Sequence, residues 1–218
     1  MNYNFKNLVF EGGGVKGIAY GGALSVLDQM DILSNITRVA GTSAGAINAV
    51  LVALGYSSEE VSRIIAETNF KDFEDRKTVL ATLYGFSKNY GWFKGDAFQE
   101  WIGKLIEDKT GSKDFTFGDL YNAAETSQEP FRVLYIIATN LTKQTAQIFS
   151  HEKTPEVPIM YATRMSMSIP LYYRSIKLFD DIMVDGGVSY NYPVNLFDNI
   201  KYLSDTRNAG SSVPDEKG

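Results

Sequence analysis

The 218-residue sequence contains no cysteine and a single histidine, His151. The first absence removes disulfides, thiolate nucleophiles and cysteine–metal sites together. The second leaves one imidazole for any chemistry that needs one. Nor does basic charge dominate: 21 Lys and Arg stand against 26 Asp and Glu, a formal net charge of −5. Long-range charge therefore favours neither nucleic acid nor an anionic membrane, and no nucleic-acid partner is expected. Any membrane contact would have to be apolar and local. No apolar run approaches the roughly 18 residues of a membrane-spanning helix. The start, "MNYNFKNLVF", lacks the basic and apolar regions of a Sec-type signal peptide. The expectation is a cytoplasmic protein, peripheral to membranes at most, or one exported by a route the sequence does not display.

What is present is an ordinary globular composition, 44% hydrophobic and 22% charged, in a length that suits one domain. Leu8-Val9-Phe10 reads as a buried strand, and Ile18, Ala19, Ala23, Leu24, Val26, Leu27 and Met30 recur at helical spacing behind a glycine loop. "ITRVAG" gives a second strand ending at Gly41, followed by the apolar helix "SAGAINAVLVAL" with Gly55 at its end. Ser57 and Glu60 stand at capping-box spacing, and Asp96 is placed to cap a helix that Gly111 closes. "FRVLYIIATNL", "AQIFS" and "DIMV" read as further strands, and Pro158 opens a helix over "IMYATRMSMS" that Pro170 would close. Strands alternating with helices predict a three-layer α/β/α fold around a mostly parallel sheet. Residues 1–200 are expected to form one domain. The tail from 201 to 218 is polar and aperiodic, and reads as mobile or as the remnant of a longer chain.

Two stretches carry chemistry. "EGGGVKGIAYGG" places Gly12, Gly14 and Gly17 in a G-x-G-x-x-G between a strand and a helix, the setting of a dinucleotide fingerprint. That reading, a nucleotide-binding oxidoreductase, also wants an acidic residue at the end of the second strand, where Arg38-Val39-Ala40-Gly41 supplies none. "GTSAG", Gly41 to Gly45, is a G-x-S-x-G between a strand and a buried helix, the setting of a nucleophile elbow. Its glycines permit a turn that would collide with any Cβ, and the turn lifts the Ser43 hydroxyl to the head of a helix.

A nucleophilic serine needs a base. His151, with Asp114 or Asp119 as its orienting acid, would complete a familiar triad, but His151 lies in the polar stretch "SHEKTPEVP" that reads as a surface loop. Asp185 is the better candidate: it ends an apolar strand, precedes Gly186-Gly187, and should sit at the sheet edge where α/β sites assemble.

These residues resemble the patatin-like phospholipases. "EGGGVKG", "GTSAG" and "DGGVSYNYPV" look like that family's three signature blocks, in order, with "ATRMSMSIP" similar to the small-residue segment before the last. The resemblance spans roughly Leu8 to Val194. It implies a Ser43–Asp185 dyad, and an oxyanion hole from the backbone amides of Gly12, Gly13 and Gly14, with Ala44 adding a fourth. Gly41, Gly45, Gly186 and Gly187 would support the turns. Lys16 stands where the family often has arginine, keeping the charge but not the bidentate fork.

The implied activity is hydrolysis of lipid carboxyl esters, of phospholipase A or lysophospholipase type, through an acyl-enzyme and without cofactor or metal. The implied partners are a phospholipid or lysophospholipid and, transiently, a membrane surface. A catalytically idle lipid-binding protein is the competing outcome. The aromatic segment Leu80, Leu83, Tyr84, Phe86, Tyr90, Trp92 and Phe93, with hinges at Gly85 and Gly91, reads either as core or as a flap admitting lipid.

Overall fold

The computed structural model describes residues 4–74 and 91–203. Most of the aromatic segment and nearly all of the polar tail therefore lie outside the described residues. In chain order the strands are β1 (Asn7–Phe10), β2 (Arg38–Thr42), β3 (Gly91–Phe93), β4 (Val133–Asn140), β5 (Thr145–Phe149), β6 (Leu171–Tyr173), β7 (Ile176–Leu178) and β8 (Asp181–Asp185). The helices are α1 (Ala19–Gln29), α2 (Ala44–Ala53), α3 (Ser58–Glu67), α4 (Asp96–Thr110), α5 (Phe117–Thr126), α6 (Ile159–Ser166) and α7 (Ile200–Leu203). Among the described residues no helix is long and apolar enough to cross a membrane.

Six strands form one sheet, and β3 and β6 form a separate parallel pair. β1, β2 and β4 are mutually parallel, β5 and β8 each run antiparallel to β4, and β7 runs antiparallel to β8. Four of the six strands thus point the same way. The register fixes a further relation. Ile137 of β4 is paired with both Thr42 of β2 and Ile148 of β5, so β2 and β5 occupy opposite edges of β4. Ala138 is paired with both Gln147 of β5 and Asp185 of β8, so β8 lies on the same edge as β2. The carboxyl ends of β2 and β8 therefore meet head to head, beside Ile137 and Ala138. A strand edge has room for one partner at each level, so neither strand can extend without displacing the other.

Side chains alternate across β4 as a strand requires. Leu134, Ile136 and Ala138 enter the large core with α2 and α6, while Val133 and Tyr135 meet Phe197 and Tyr202 in a smaller core on the other face. All ten residues of α2 are buried, which explains why its sequence shows no polar face. Local signals hold where they are self-contained. Ser57 and Glu60 form a reciprocal capping box, and Gly55 and Gly111 end their helices at φ 75° and 78°. The expected Asp96 cap is corrected: Gly95, at φ 75°, precedes the helix, and Asp96 is its first residue, ion-paired with Lys94 at 3.6 Å. The glycine loop enters α1 through a 3-10 turn over Gly14–Ile18, and α6 stops at Ser166, short of the Ser168 limit expected. Strands β3, β6 and β7 carry no clear alternating pattern, so the sequence alone does not mark them as strands.

α2 crosses β1 and β2 so closely that only bare backbone fits. A Cβ on Gly41 would lie 2.6 Å from the Gly45 carbonyl carbon, and one on Gly45 would lie 2.5 Å from the Phe10 carbonyl oxygen. Backbone cannot give way as a side chain can. Gly41→Ala or Gly45→Ala should therefore cost about 3 kcal/mol or prevent folding. Gly22→Ala, in open space on the exposed face of α1, should instead gain about 0.5–1 kcal/mol. Urea denaturation of the three variants checks the contrast.

Candidate active site

Ser43 sits between β2 and α2 at φ 54°, ψ −127°, a conformation that costs a non-glycine residue about 1–3 kcal/mol. The surroundings hold it there. Its amide donates to Ser166 Oγ at 2.8 Å, and Ser166 Oγ in turn donates to the Ile137 carbonyl at 2.5 Å. Thr42 Oγ1 donates to the Tyr190 carbonyl at 3.1 Å. The elbow is thus fastened to α6, to β4 and to the segment after β8. Ser43 is 5% exposed, at the N-terminus of a helix whose dipole favours negative charge.

Asp185 ends β8, facing Ser43 across the junction of the two strands. It reaches that place differently from the expectation: β8 is antiparallel to β4, so its carboxyl end comes from the opposite direction and stops in the middle of β4. Thr139 Oγ1 donates to the Asp185 carbonyl at 2.9 Å and shares a hydrogen bond with Ser189 Oγ, while the Asp185 amide donates to the Ser168 carbonyl at 2.9 Å. Oδ1 accepts from the Gly187 amide at 2.7 Å. Oδ2 is buried and, among the described residues, has no hydrogen-bond donor. Burial pushes this carboxyl above its ordinary value of 3.8, while the nearby Ser43 hydroxyl and the Gly187 amide pull it down. Ser43 Oγ lies 3.8 Å from Met167 Sδ and makes no close hydrogen bond to Oδ2. Such contacts are often loose before substrate binds.

The glycines at the site do different jobs. A Cβ on Gly12 would fall 3.2 Å from Ser43 Cβ, which places the loop directly over the serine. The Gly12 amide already donates to the Asn191 carbonyl at 3.1 Å, so the expectation that it is a spare donor is corrected. The amides of Gly13, Gly14 and Ala44 make no hydrogen bond to the described residues. Gly14 takes φ 56°, and Gly17 is buried against Ala44, where a Cβ would lie 3.2 Å from the Ala44 Cβ. Gly186 and Gly187 are equally confined: a Cβ would lie 2.7 Å from Thr42 Cγ2 at the first and 2.8 Å from Asn191 Oδ1 at the second. Lys16 is exposed on the loop.

An apolar cavity of about 180 Å3 opens beside these groups, lined by Gly14, Ala44, Ile47, Phe73, Met167 and Tyr173 among others. Behind it, buried Arg164 donates to Ser168 Oγ at 2.7 Å, bonds the Lys94 carbonyl, and lies 5.0 Å from the Tyr173 ring centre. Trp92 of β3 is 42% exposed, and Phe93 packs on Tyr172 with ring centres 4.9 Å apart.

His151 is not brought to this site. It follows β5, whose Phe149 pairs with Ile136, so it lies on the other edge of β4 and further from Ala138. Nor is it the plain surface residue expected: it is half-buried and stacked on Tyr121, ring centres 4.0 Å apart. Asp119 closes the capping box of α5 with Thr116, and Asp114 is exposed in the turn before it. Sequence reading missed Ser166, Met167, Thr139 and Asn191 as parts of the site. The small polar run "RMSMS" signalled the first two, and Asn191 stands within the block "DGGVSYNYPV" without a stated role; nothing local signalled Thr139.

The patatin-like phospholipase family model matches residues 8–198. Among individual proteins, the chain is 37% identical over 204 residues to "Uncharacterized protein YqhO" of Bacillus subtilis (strain 168), covering 87% of this chain and 65% of that one. It is 34% identical over 194 residues to "Uncharacterized protein R571" of Acanthamoeba polyphaga mimivirus, covering 88% and 61%. It is 28% identical over 201 residues to "Probable lipid hydrolase 463L" of Invertebrate iridescent virus 6, covering 91% and 64%. The chain thus spans less than two thirds of the length of these relatives. Among solved structures, VipD from Legionella pneumophila superposes with a TM-score of 0.70 at 18% identity, over 85% of this chain and 46% of that one. ExoU of Pseudomonas aeruginosa, solved with SpcU, gives 0.57 at 22%, over 77% and 39%. The structural likenesses show a shared fold, and the match over nearly the whole described chain shows more: this protein belongs to the patatin-like phospholipase family.

Proposed function

We propose that this chain is a lipid acyl hydrolase of phospholipase A or lysophospholipase type, working through Ser43 and Asp185. The observation that carries the reading is the meeting of β2 and β8. It sets a strained serine opposite a buried carboxylate oxygen, with an apolar cavity alongside; among the described residues that oxygen lacks a donor and the nearby amides of Gly13, Gly14 and Ala44 lack acceptors.

In this mechanism the Asp185 carboxylate takes the Ser43 hydroxyl proton as Oγ attacks the ester carbonyl carbon. The amides of Gly13, Gly14 and Ala44 hold the resulting oxyanion; removing one such donor typically costs about 3–4 kcal/mol. Asp185 passes the proton to the departing alkoxide, leaving an acyl-enzyme. A water then gives its proton to Asp185 and attacks the acyl carbon; the fatty acid leaves and Ser43 recovers its hydrogen. The acyl chain occupies the apolar cavity. Four residues lining that cavity, Val15, Ile18, Ile169 and Tyr172, also project into solvent, Val15 with 72% exposure, which suits brief contact with a lipid surface.

Ser43→Ala should abolish hydrolysis of a p-nitrophenyl ester and of phospholipid vesicles, and should abolish labelling by a fluorophosphonate probe, with an unchanged circular dichroism spectrum. A wild-type protein that is never labelled and hydrolyses neither substrate would be a lipid-binding relative without catalysis. Asp185→Asn, nearly isosteric, should lower kcat/KM about a thousandfold or more. His151→Ala, on the far edge of β4, should leave it within about threefold.

The pH dependence follows from the same burial. Asp185 is a base only when ionised, and burial raises its pKa above 3.8. Activity should therefore be absent well below that raised pKa and climb as pH rises through it. The limb should persist unchanged in His151→Ala. Its disappearance in that variant, with normal folding, would transfer the base to the imidazole.

A further inference from the structure

The glycine loop and the segment after Asp185 are nearly the length of the chain apart, and one residue joins them. The Asn191 carbonyl accepts from the Gly12 amide at 3.1 Å. Its Nδ2 donates to the Gly12 carbonyl and to Glu11 Oε1, both at 3.0 Å. Gly12 is thus bonded through both of its peptide groups, as though by a neighbouring strand. From the other side, the Tyr20 hydroxyl donates to the Glu11 carbonyl at 2.8 Å. The amides of the next two residues, Gly13 and Gly14, make no hydrogen bond to the described residues. Three successive glycines have more freedom than any other tripeptide, and donors act on an oxyanion only when fixed beforehand.

We propose that Asn191 is a positioning residue that holds the glycine loop in register with the Asp185 turn, so that the Gly13 and Gly14 amides converge above Ser43. This rests on the acyl-hydrolase reading. Asn191 touches no reacting atom; its loss should appear in kcat, because it does not line the cavity proposed for the acyl chain. An aspartate has the same shape but sets a carboxylate against the Gly12 carbonyl and Glu11. When protonated, it recovers one O–H donor. The titratable groups around it are Glu11 of the loop, Asp185 at the end of β8, Tyr20 of α1 and the adjacent Tyr192, with Lys16 the loop's exposed cation. The acidic neighbours raise the pKa of an introduced carboxyl.

The test compares Asn191→Asp and Asn191→Ala with wild type on soluble p-nitrophenyl butyrate between about pH 5 and 8, and follows amide hydrogen exchange over residues 11–14. At the upper pH both variants should lose roughly thirtyfold in kcat, with KM within about twofold. At the lower pH, Asn191→Asp should recover to within about threefold of wild type at that pH, whereas Asn191→Ala should not. Exchange over residues 11–14 should quicken in step with each loss. Both variants staying within about threefold in kcat would overturn the proposal, as would a loss in Asn191→Asp that ignores pH. If Asn191→Ala does not fold, the isosteric aspartate carries the comparison. A wild type that cleaves no ester would remove the acyl-hydrolase reading. In that event exchange alone decides: faster exchange in the variants keeps the clasp, and unchanged exchange removes it as well.

Discussion

Along one edge of β4, two strands running in opposite directions stop one residue apart. β2 arrives at Ile137 and β8 at Ala138, and each blocks the other's extension. The chain must leave the sheet at both ends in the same small volume. On one side it turns through Ser43 into α2; on the other it turns through Gly186 and Gly187 into the segment that carries Asn191. The head-to-head junction sets serine and aspartate facing each other without any long-range electrostatic attraction to bring them together. It also explains the density of glycine there, since two turns and a helix start share space that admits almost no Cβ.

The junction has costs, and the neighbourhood offsets them. Ser43 is held at positive φ by hydrogen bonds through Ser166 to β4, and by α2, whose ten buried residues supply far more apolar burial than the strain requires. Among the described residues Asp185 keeps a buried oxygen without a donor, which for an ordinary structural carboxylate would be a defect costing about 1–3 kcal/mol. Beside an alcohol it is an unfilled role. Burial raises the pKa of this carboxyl, which on the proposed reading makes it a stronger base than a surface aspartate. The single histidine is spent elsewhere, stacked on Tyr121 at the opposite edge.

Around this polar centre the environment changes abruptly. The glycine loop presents bare amides on one side, while Val15 and Ile18 in the same loop turn apolar surface towards the cavity and solvent. A lipid ester has the same division, a polar carbonyl joined to a hydrocarbon chain. On the proposed reading the loop would serve both parts, because it has no side chains at Gly12, Gly13 and Gly14 and large ones immediately after.

The sequence by itself determined the features that depend on neighbours along the chain. The G-x-S-x-G between a strand and an apolar helix specified the elbow, because only glycines at positions 41 and 45 clear the adjacent backbone. Ser57 with Glu60, and Gly55 and Gly111, marked helix ends through bonds closed within one turn. Tertiary structure decided whatever depends on which strand lies beside which. Asp185 was recognisable as a strand-end carboxylate, but its antiparallel approach and its place at Ala138 follow from register, which no local pattern encodes. Gly12 reads from sequence as one more bare amide; only the fold reveals that Asn191 already occupies it. Asp96 reads as a cap, yet Gly95 takes that position, and only glycine can stand there because the buried Arg164 guanidinium fills the space of a Cβ. In each case the deciding contact joins residues far apart in the chain, and such contacts leave no periodicity behind them.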